Sequence, residues 1–139
     1  MRIRPFELSD QKAVIDLWRS TNLLRPWNDP VKDIARKCKF QPELFVVGEV
    51  DQRVMASAMI GYDGHRGSLY YFAVDPEFQS KGFGKALLAY TESVLEQMGC
   101  PKLNLLVRSD NHDAQRYYEQ ISYSRDDALV FGKRLIADN

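Results

Sequence analysis

The sequence predicts a mixed α/β fold, helices layered on a sheet, and three features carry the prediction. An apolar run, Leu69-Tyr70-Tyr71-Phe72-Ala73-Val74, passes through Asp75-Pro76 and a glycine-bearing turn into a long amphipathic helix. A further apolar run from Lys102 to Val107 follows that helix. Strand, helix and strand then form a crossover unit, so these two strands should be parallel. Upstream, Leu44 to Val47 and Val54 to Ile60 are joined tightly at Asp51-Gln52-Arg53, which reads as an antiparallel hairpin. Parallel and antiparallel pairs in one chain mean a mixed sheet. The expected order, β-α-α-β-β-β-α-β-α-β-β, makes an α/β sandwich.

Each element has its own signal. Ile3 and Phe6 flank a short first strand. Ser9 or Asp10 can cap a helix whose apolar face is Val14, Ile15, Leu17 and Trp18. A loop from Leu23 to Asn28 leads to Asp29-Pro30, an N-cap with proline at the first helical position, where the missing N–H does no harm. That second helix should bury Val31, Ile34, Ala35 and Cys38. After the hairpin, Gly61 to Gly67 is a polar loop before the central strand. The long helix carries Phe83, Leu87, Tyr90, Val94 and Met98 along one face, and Gly99 and Pro101 stop it. Asp110 or Asn111 caps a short helix bearing Ala114, Tyr117, Tyr118 and Ile121. Final strands are expected around Tyr123 and from Leu129 to Leu135.

Composition narrows the class. A chain of 139 residues, 45% hydrophobic, supports one folded domain over residues 1–139. Lys+Arg and Asp+Glu number 19 each, so the basic excess of a nucleic-acid binder is missing. Met1 to Phe6 lacks the apolar core of a signal peptide, and no apolar run approaches the ~18 residues of a membrane span. Cys38 and Cys100 have neither metal-type nor redox-type spacing, and His65 and His112 are isolated, so no metal is expected. A reduced, cytoplasmic protein is the expectation.

The chemistry gathers at Gln79-Ser80-Lys81-Gly82-Phe83-Gly84-Lys85, between the central strand and the long helix. Glycines let the backbone approach a ligand, and the first amides of a helix lack internal partners. With the helix dipole, those amides suit phosphate. Two familiar phosphate loops are excluded. A Walker A loop would need Gly where Gln79 stands and Ser or Thr where Ala86 stands, and a dinucleotide fingerprint would need a small residue at Leu87. What remains is Gln-x-x-Gly-x-Gly, which resembles the acyl-CoA pyrophosphate loop of the GNAT N-acetyltransferases. A second stretch, Asn111 to Tyr123, resembles that family's Asn-x-x-Ala-x-x-Leu-Tyr-Glu-Lys-Leu-Gly-Phe, with Tyr118 on the family's tyrosine and Ser122 in place of the glycine. The element order is also the family's. A narrower resemblance, to the small bacterial YpeA-type acetyltransferases, rests on Leu23 to Pro30, Gly61 to Ser68 and Gly132 to Ile136.

The resemblance implies a GNAT fold, with a central mixed sheet of about six to seven strands and helices on both faces. It implies an acetyl-CoA-dependent N-acetyltransferase that moves the acetyl group from the thioester to an amine by direct attack. Gln79, Lys81, Gly82, Phe83, Gly84 and Lys85 would hold the diphosphate. Phe72, Ala73 and Val74 would bind the pantetheine arm along a splayed strand edge, where an N–H would polarise the thioester carbonyl. Asn111 and Tyr118 complete the cofactor contacts, and Tyr118 would protonate the departing thiolate. Many relatives place a Glu on the central strand, but this chain has Tyr70-Tyr71-Phe72 there. The base must be sought at Asp63, His65 or Glu49, and of these only a histidine ordinarily titrates near neutrality. Arg25 and Arg66 can grip a substrate carboxylate, and Trp27 can line an acceptor pocket. The acceptor is a small-molecule or protein amine, with neither nucleic acid nor membrane as partner, and a homodimer is possible. Two other readings stay open: a non-catalytic acyl-CoA-binding sensor or interaction module on the same fold, and a structural domain with an accidental glycine turn.

Overall fold

A computed structural model describes residues 1–138. They form two compact units: Leu105–Ala137 is one, and Met1–Asn104 with Asp138 is the other.

The larger unit is built on a five-stranded sheet in the order β1-β2-β3-β4-β5: β1 (Arg2–Pro5), β2 (Phe45–Val50), β3 (Arg53–Tyr62), β4 (Gly67–Val74) and β5 (Leu103–Asn104). Neighbours are antiparallel except β4 and β5, which are parallel. The hairpin between β2 and β3 turns on Asp51 and Gln52, both at positive φ (50° and 64°). Two such residues suit the tight turn whose twist matches that of the flanking strands.

Helices α1 (Gln11–Ser20) and α2 (Pro30–Lys37) cover one face of the sheet. Val14, Leu17, Trp18 and Ile34 meet Phe45, Val47 and Ala73 in a buried core. The Trp18 indole N–H donates to the Ser57 hydroxyl at 2.9 Å, so Ser57 faces α1. Its neighbour Ala56 therefore points the other way, as does Val74 opposite Ala56. Helix α3 (Phe83–Gln97) starts beneath Val74 on that second face. Helices thus lie on both faces of the mixed sheet, as expected.

Three details differ from the sequence reading. Helix α3 buries Leu87, Leu88, Thr91 and Leu95, while Met98 is exposed. The true stripe is shifted by one position, because Thr91 counts as apolar once its hydroxyl donates to the Leu87 carbonyl at 2.9 Å. On α2 only Ile34 is buried; Val31 and Ala35 face outward on a short helix that touches the core along one line. Asp10 stands at the α1 N-cap position but gives no cap bond. Its carboxylate accepts from the Glu7 N–H and from Arg4, at 2.8–3.0 Å.

The smaller unit contains α4 (His112–Gln120). The expected strands at Tyr123 and Leu129 to Leu135 are not there among the described residues, and Leu129, Phe131 and Leu135 are exposed. The sheet therefore has five strands rather than six or seven. A strand-prone run becomes a strand only against a partner, and the smaller unit holds no strand to pair with. The strand expected from Lys102 to Val107 shrinks to Leu103–Asn104 for the same reason, since its ladder ends at Ser68.

Candidate active site

The turn after β4 is wound tightly from its own residues. Asp75 accepts from the Glu77 N–H at 2.9 Å, and the Gln79 side-chain amide donates back to the Val74 carbonyl at 3.0 Å. Gly82 then caps α3 at φ 82°, and no side chain caps this helix end. A Cβ on Gly82 would meet nothing within 4 Å. Glycine is required there by φ and not by crowding, and the space above it is open to a ligand. At Gly84 a Cβ would stand 3.7 Å from Val74. The first N–H groups of α3 thus face an open, uncapped end. Cations stand close by: the Lys81 ammonium and the Arg53 guanidinium lie 5.5 and 5.4 Å from the centre of the Phe78 ring. Phe83 tilts against the same ring, and Lys85 is exposed.

Strand β4 leads into this turn with one edge free. Its ladder to β5 contains only Gly67–Leu103 and Ser68–Asn104. Beyond Ser68 no described strand pairs with that edge, so Phe72, Ala73 and Val74 lie where the backbone has no ladder partner on one side.

The same stretch holds a feature that the sequence reading missed. Tyr71 has φ 50°, inside a strand. The register slips there: Ala73 opposes Ser57 and Tyr70 opposes Met59, leaving Tyr71 and Phe72 opposite Ala58. This is a β-bulge on β4. A left-handed non-glycine residue costs of order ~1–3 kcal/mol and persists only when its surroundings fix it. Three contacts to Tyr71 do so, and a fourth steadies one of its partners. The Tyr71 ring stacks on Trp18 at 3.8 Å, and its hydroxyl donates to Asp33 at 2.6 Å. Its carbonyl accepts from the Ser57 hydroxyl at 2.7 Å, which in turn accepts from Trp18. Burial, then the bond to Asp33, pushes the Tyr71 phenol well above its usual range. Three aromatic residues in a row, breaking the alternation of a strand, were the signal that could have revealed the bulge.

The residues considered as bases lie elsewhere. Asp63 accepts from the N–H groups of His65 and Arg66, both at 2.7 Å, which holds its exposed carboxyl below the usual range and shapes the loop. His65 is exposed in the same loop, before the start of β4. The glycine turn follows the other end of that strand, and at ~3.3 Å per residue His65 is roughly 20 Å of strand from Phe72. This distance weighs against direct proton transfer, which needs about 3 Å. Glu49 is occupied by Arg2 and Arg4 at 3.1–3.2 Å. Arg25 and Arg66 donate to carbonyls of their own loops, at 2.7 and 2.9 Å.

In the smaller unit, Asn111 caps α4 by accepting from the Ala114 N–H at 3.1 Å. Tyr118 lies edge-on to Tyr117 and Tyr123, at 5.5 and 5.7 Å between ring centres. Burial, with a smaller push from Tyr117, raises its phenol above the usual value, so it holds its proton through the neutral range. Ser122 adopts φ 78° at the helix exit. It takes the left-handed geometry that glycine ordinarily supplies at that position.

The acetyltransferase (GNAT) family model matches residues 12–123. The chain belongs to that family. It is 51% identical over 138 residues to an acetyltransferase of Yersinia enterocolitica, covering 99% of this chain and 98% of the relative. It is 49% identical to an acetyltransferase of Pectobacterium atrosepticum over the same shares of both chains. Among solved structures, the ribosomal-protein-S18-alanine N-acetyltransferase of Escherichia coli superposes with a TM-score of 0.71 at 26% identity, covering 87% of this chain and 76% of that one. The fold is also that of AAC(6')-Iy, solved with a CoA-containing bisubstrate analogue, at TM-score 0.71 and 18% identity, with 97% and 98% covered.

This GNAT protein is an N-acetyltransferase. Its described residues hold no group of three or more His, Cys, Asp or Glu side chains that could bind a metal. None of its described helices is long and apolar enough to cross a membrane.

Proposed function

We propose that this enzyme transfers an acetyl group from acetyl-CoA to a primary amine by direct attack of the amine on the thioester. One observation carries the reading: a single strand–turn–helix unit has both an edge without a ladder partner, at Phe72 to Val74, and an open, uncapped helix start at Gly82. Acetyl-CoA would bring the thioester. The amides from Gly82 to Lys85, with Lys81 and the Gln79-braced turn, would bind the diphosphate. Phe72, Ala73 and Val74 would pair with the pantetheine amides, and a free N–H of this edge would polarise the carbonyl oxygen. Tyr118 would protonate the departing thiolate, and Asn111 would hold the start of its helix. His65, in the loop that Asp63 shapes, lies roughly 20 Å of strand from Phe72, so the amine would give up its proton to solvent water rather than directly to either side chain. The single domain spans 1–139 in this reading, since the family match runs across both compact units. The acceptor is a small-molecule or protein amine, the setting is the cytoplasm, and the enzyme acts without metal, as a monomer or homodimer.

Tyr118→Phe tests the assignment of the acid. Acetyl-CoA affinity should hold, while turnover falls ~10²–10⁴-fold. In the parent enzyme the rate should show no falling limb from Tyr118 below about pH 10, because its proton is held more tightly than in a free phenol. A Phe variant with near-normal turnover, where chemistry limits the rate, removes Tyr118 from the mechanism. The rival reading of a non-catalytic acyl-CoA binder draws on the Tyr70-Tyr71-Phe72 run, which lacks a strand carboxylate.

A further inference from the structure

We infer that Tyr71, Asp33, Ser57 and Trp18 form a lock that positions the thioester-binding edge of β4. The inference rests on the acyl-transfer reading above and adds four positioning residues to it. Tyr71 lies on the stretch of β4 that has no ladder partner on its β5 side beyond Ser68, just before Phe72 to Val74. Its left-handed φ of 50° sets the direction in which the following backbone groups emerge.

The ring, the hydroxyl and the carbonyl of Tyr71 are each held, and from three different elements. Trp18 of α1 holds the ring, at 3.8 Å and 16° from parallel. Asp33 of α2 holds the hydroxyl at 2.6 Å. Ser57 of β3 holds the carbonyl at 2.7 Å and is itself held by Trp18 at 2.9 Å. Asp33 is steadied in turn by Arg36 at 3.1 Å, and Arg36 by Asp138 at 2.7–2.8 Å. Among the described non-glycine residues at positive φ, Tyr71 is the one that lies inside a strand; the others stand in turns and loops. Here a bulky residue is kept strained by hydrogen bonds at both ends of its side chain and backbone. The arrangement fits a need for one fixed direction of the edge, since a misplacement of about 1 Å in a reacting group costs up to ~10²-fold in rate.

The experiment separates position from stability. Tyr71→Phe keeps the ring on Trp18 and loses the bond to Asp33. Asp33→Leu removes the acceptor, and Asp33→Asn keeps an oxygen for the Tyr71 hydroxyl. Asp33 retains 24% of its side-chain exposure, so neither change at this residue empties the core. With a competent amine, Tyr71→Phe and Asp33→Leu should lower kcat by ~10–100-fold. Acetyl-CoA affinity, measured by calorimetry, should stay near that of the parent, and Asp33→Asn should recover most of kcat. Independently of turnover, infrared spectra of acetyl-CoA labelled at the thioester carbonyl should show a lowered stretch when bound to the parent. That shift should move back toward the free value in Tyr71→Phe and Asp33→Leu, and not in Asp33→Asn. A bound carbonyl equally shifted in all variants would overturn the lock and leave the acyl-transfer reading standing. An Asp33→Asn rate as low as that of Asp33→Leu would also overturn it. Failure of acetyl-CoA to bind the parent protein would strike both.

Discussion

Gly82 and Gly99 make a matched pair for testing where CoA binds. They mark the two ends of α3, at φ 82° and 84°, and a Cβ on either would meet nothing within 4 Å. Alanine at either position therefore carries the same backbone penalty, about 1–2 kcal/mol, with no added clash. Urea unfolding should show similar losses of stability for Gly82→Ala and Gly99→Ala, within that range. Affinity should separate them. If the diphosphate approaches the open amides at the start of α3, the Cβ of Gly82→Ala occupies the approach, and CoA should bind at least ~10-fold more weakly, about 1.4 kcal/mol. Gly99→Ala, at the far end of a helix ~22 Å long, should bind CoA as the parent does. Calorimetry on both proteins at one temperature makes the comparison. Equal affinity for the two variants, whether both weakened or both unchanged, would refute the placement, because only strain would then be at work.

Two further outcomes follow. Arg4 donates to both oxygens of the Asp10 carboxylate, at 2.8 and 3.0 Å, and holds Asp10 below the usual carboxylate range. A group depressed in the folded state adds stability above its unfolded pKa near ~3.9 and loses it as pH falls through its folded value. Arg4→Gln should thus cost about 2–3 kcal/mol at pH 7, with a deficit that shrinks below about pH 4; denaturation at several pH values reads this, and a pH-independent deficit would contradict it. Acetyl transfer should survive exhaustive chelation, and activity lost to chelator and restored by a single divalent ion would show a metal site that the sequence spacing did not anticipate.

The larger unit was readable where one residue type answers one local demand. Asp29-Pro30 gave an N-cap and a first helical residue, and Asp29 accepts from the N–H groups of Val31 and Lys32 at 2.9 and 3.1 Å. Gln79, Gly82 and Gly84 marked the turn because positive φ and an uncapped helix start leave a trace in sequence. Position within the fold left less trace. The α3 stripe was misread by one residue because a threonine that bonds its own helix packs like an apolar side chain. The bulge at Tyr71 left only the broken alternation of Tyr70-Tyr71-Phe72 as a trace, because its cause is tertiary: Trp18, Asp33 and Ser57 come from three elements distant in sequence. The strands expected from Tyr123 onward relied on β-propensity, which predicts a surface fit and not a partner. Among the candidate bases, side-chain type singled out His65, and only the direction of β4 revealed how far it stands from the glycine turn.

The central claim is chemical, and amine-dependent thiol release tests it most directly. The parent protein is incubated with acetyl-CoA and a panel of amines: amino acids, polyamines, aminoglycosides and peptides with free N-termini or lysines. Free CoA thiol and N-acetylated product are measured together. The account predicts that thiol appears in step with acetylated amine for at least one class, and stays at background without amine. Tight CoA binding at the Gly82 turn, with no amine-dependent thiol release across the panel, would contradict it and leave a binding module in place of an enzyme.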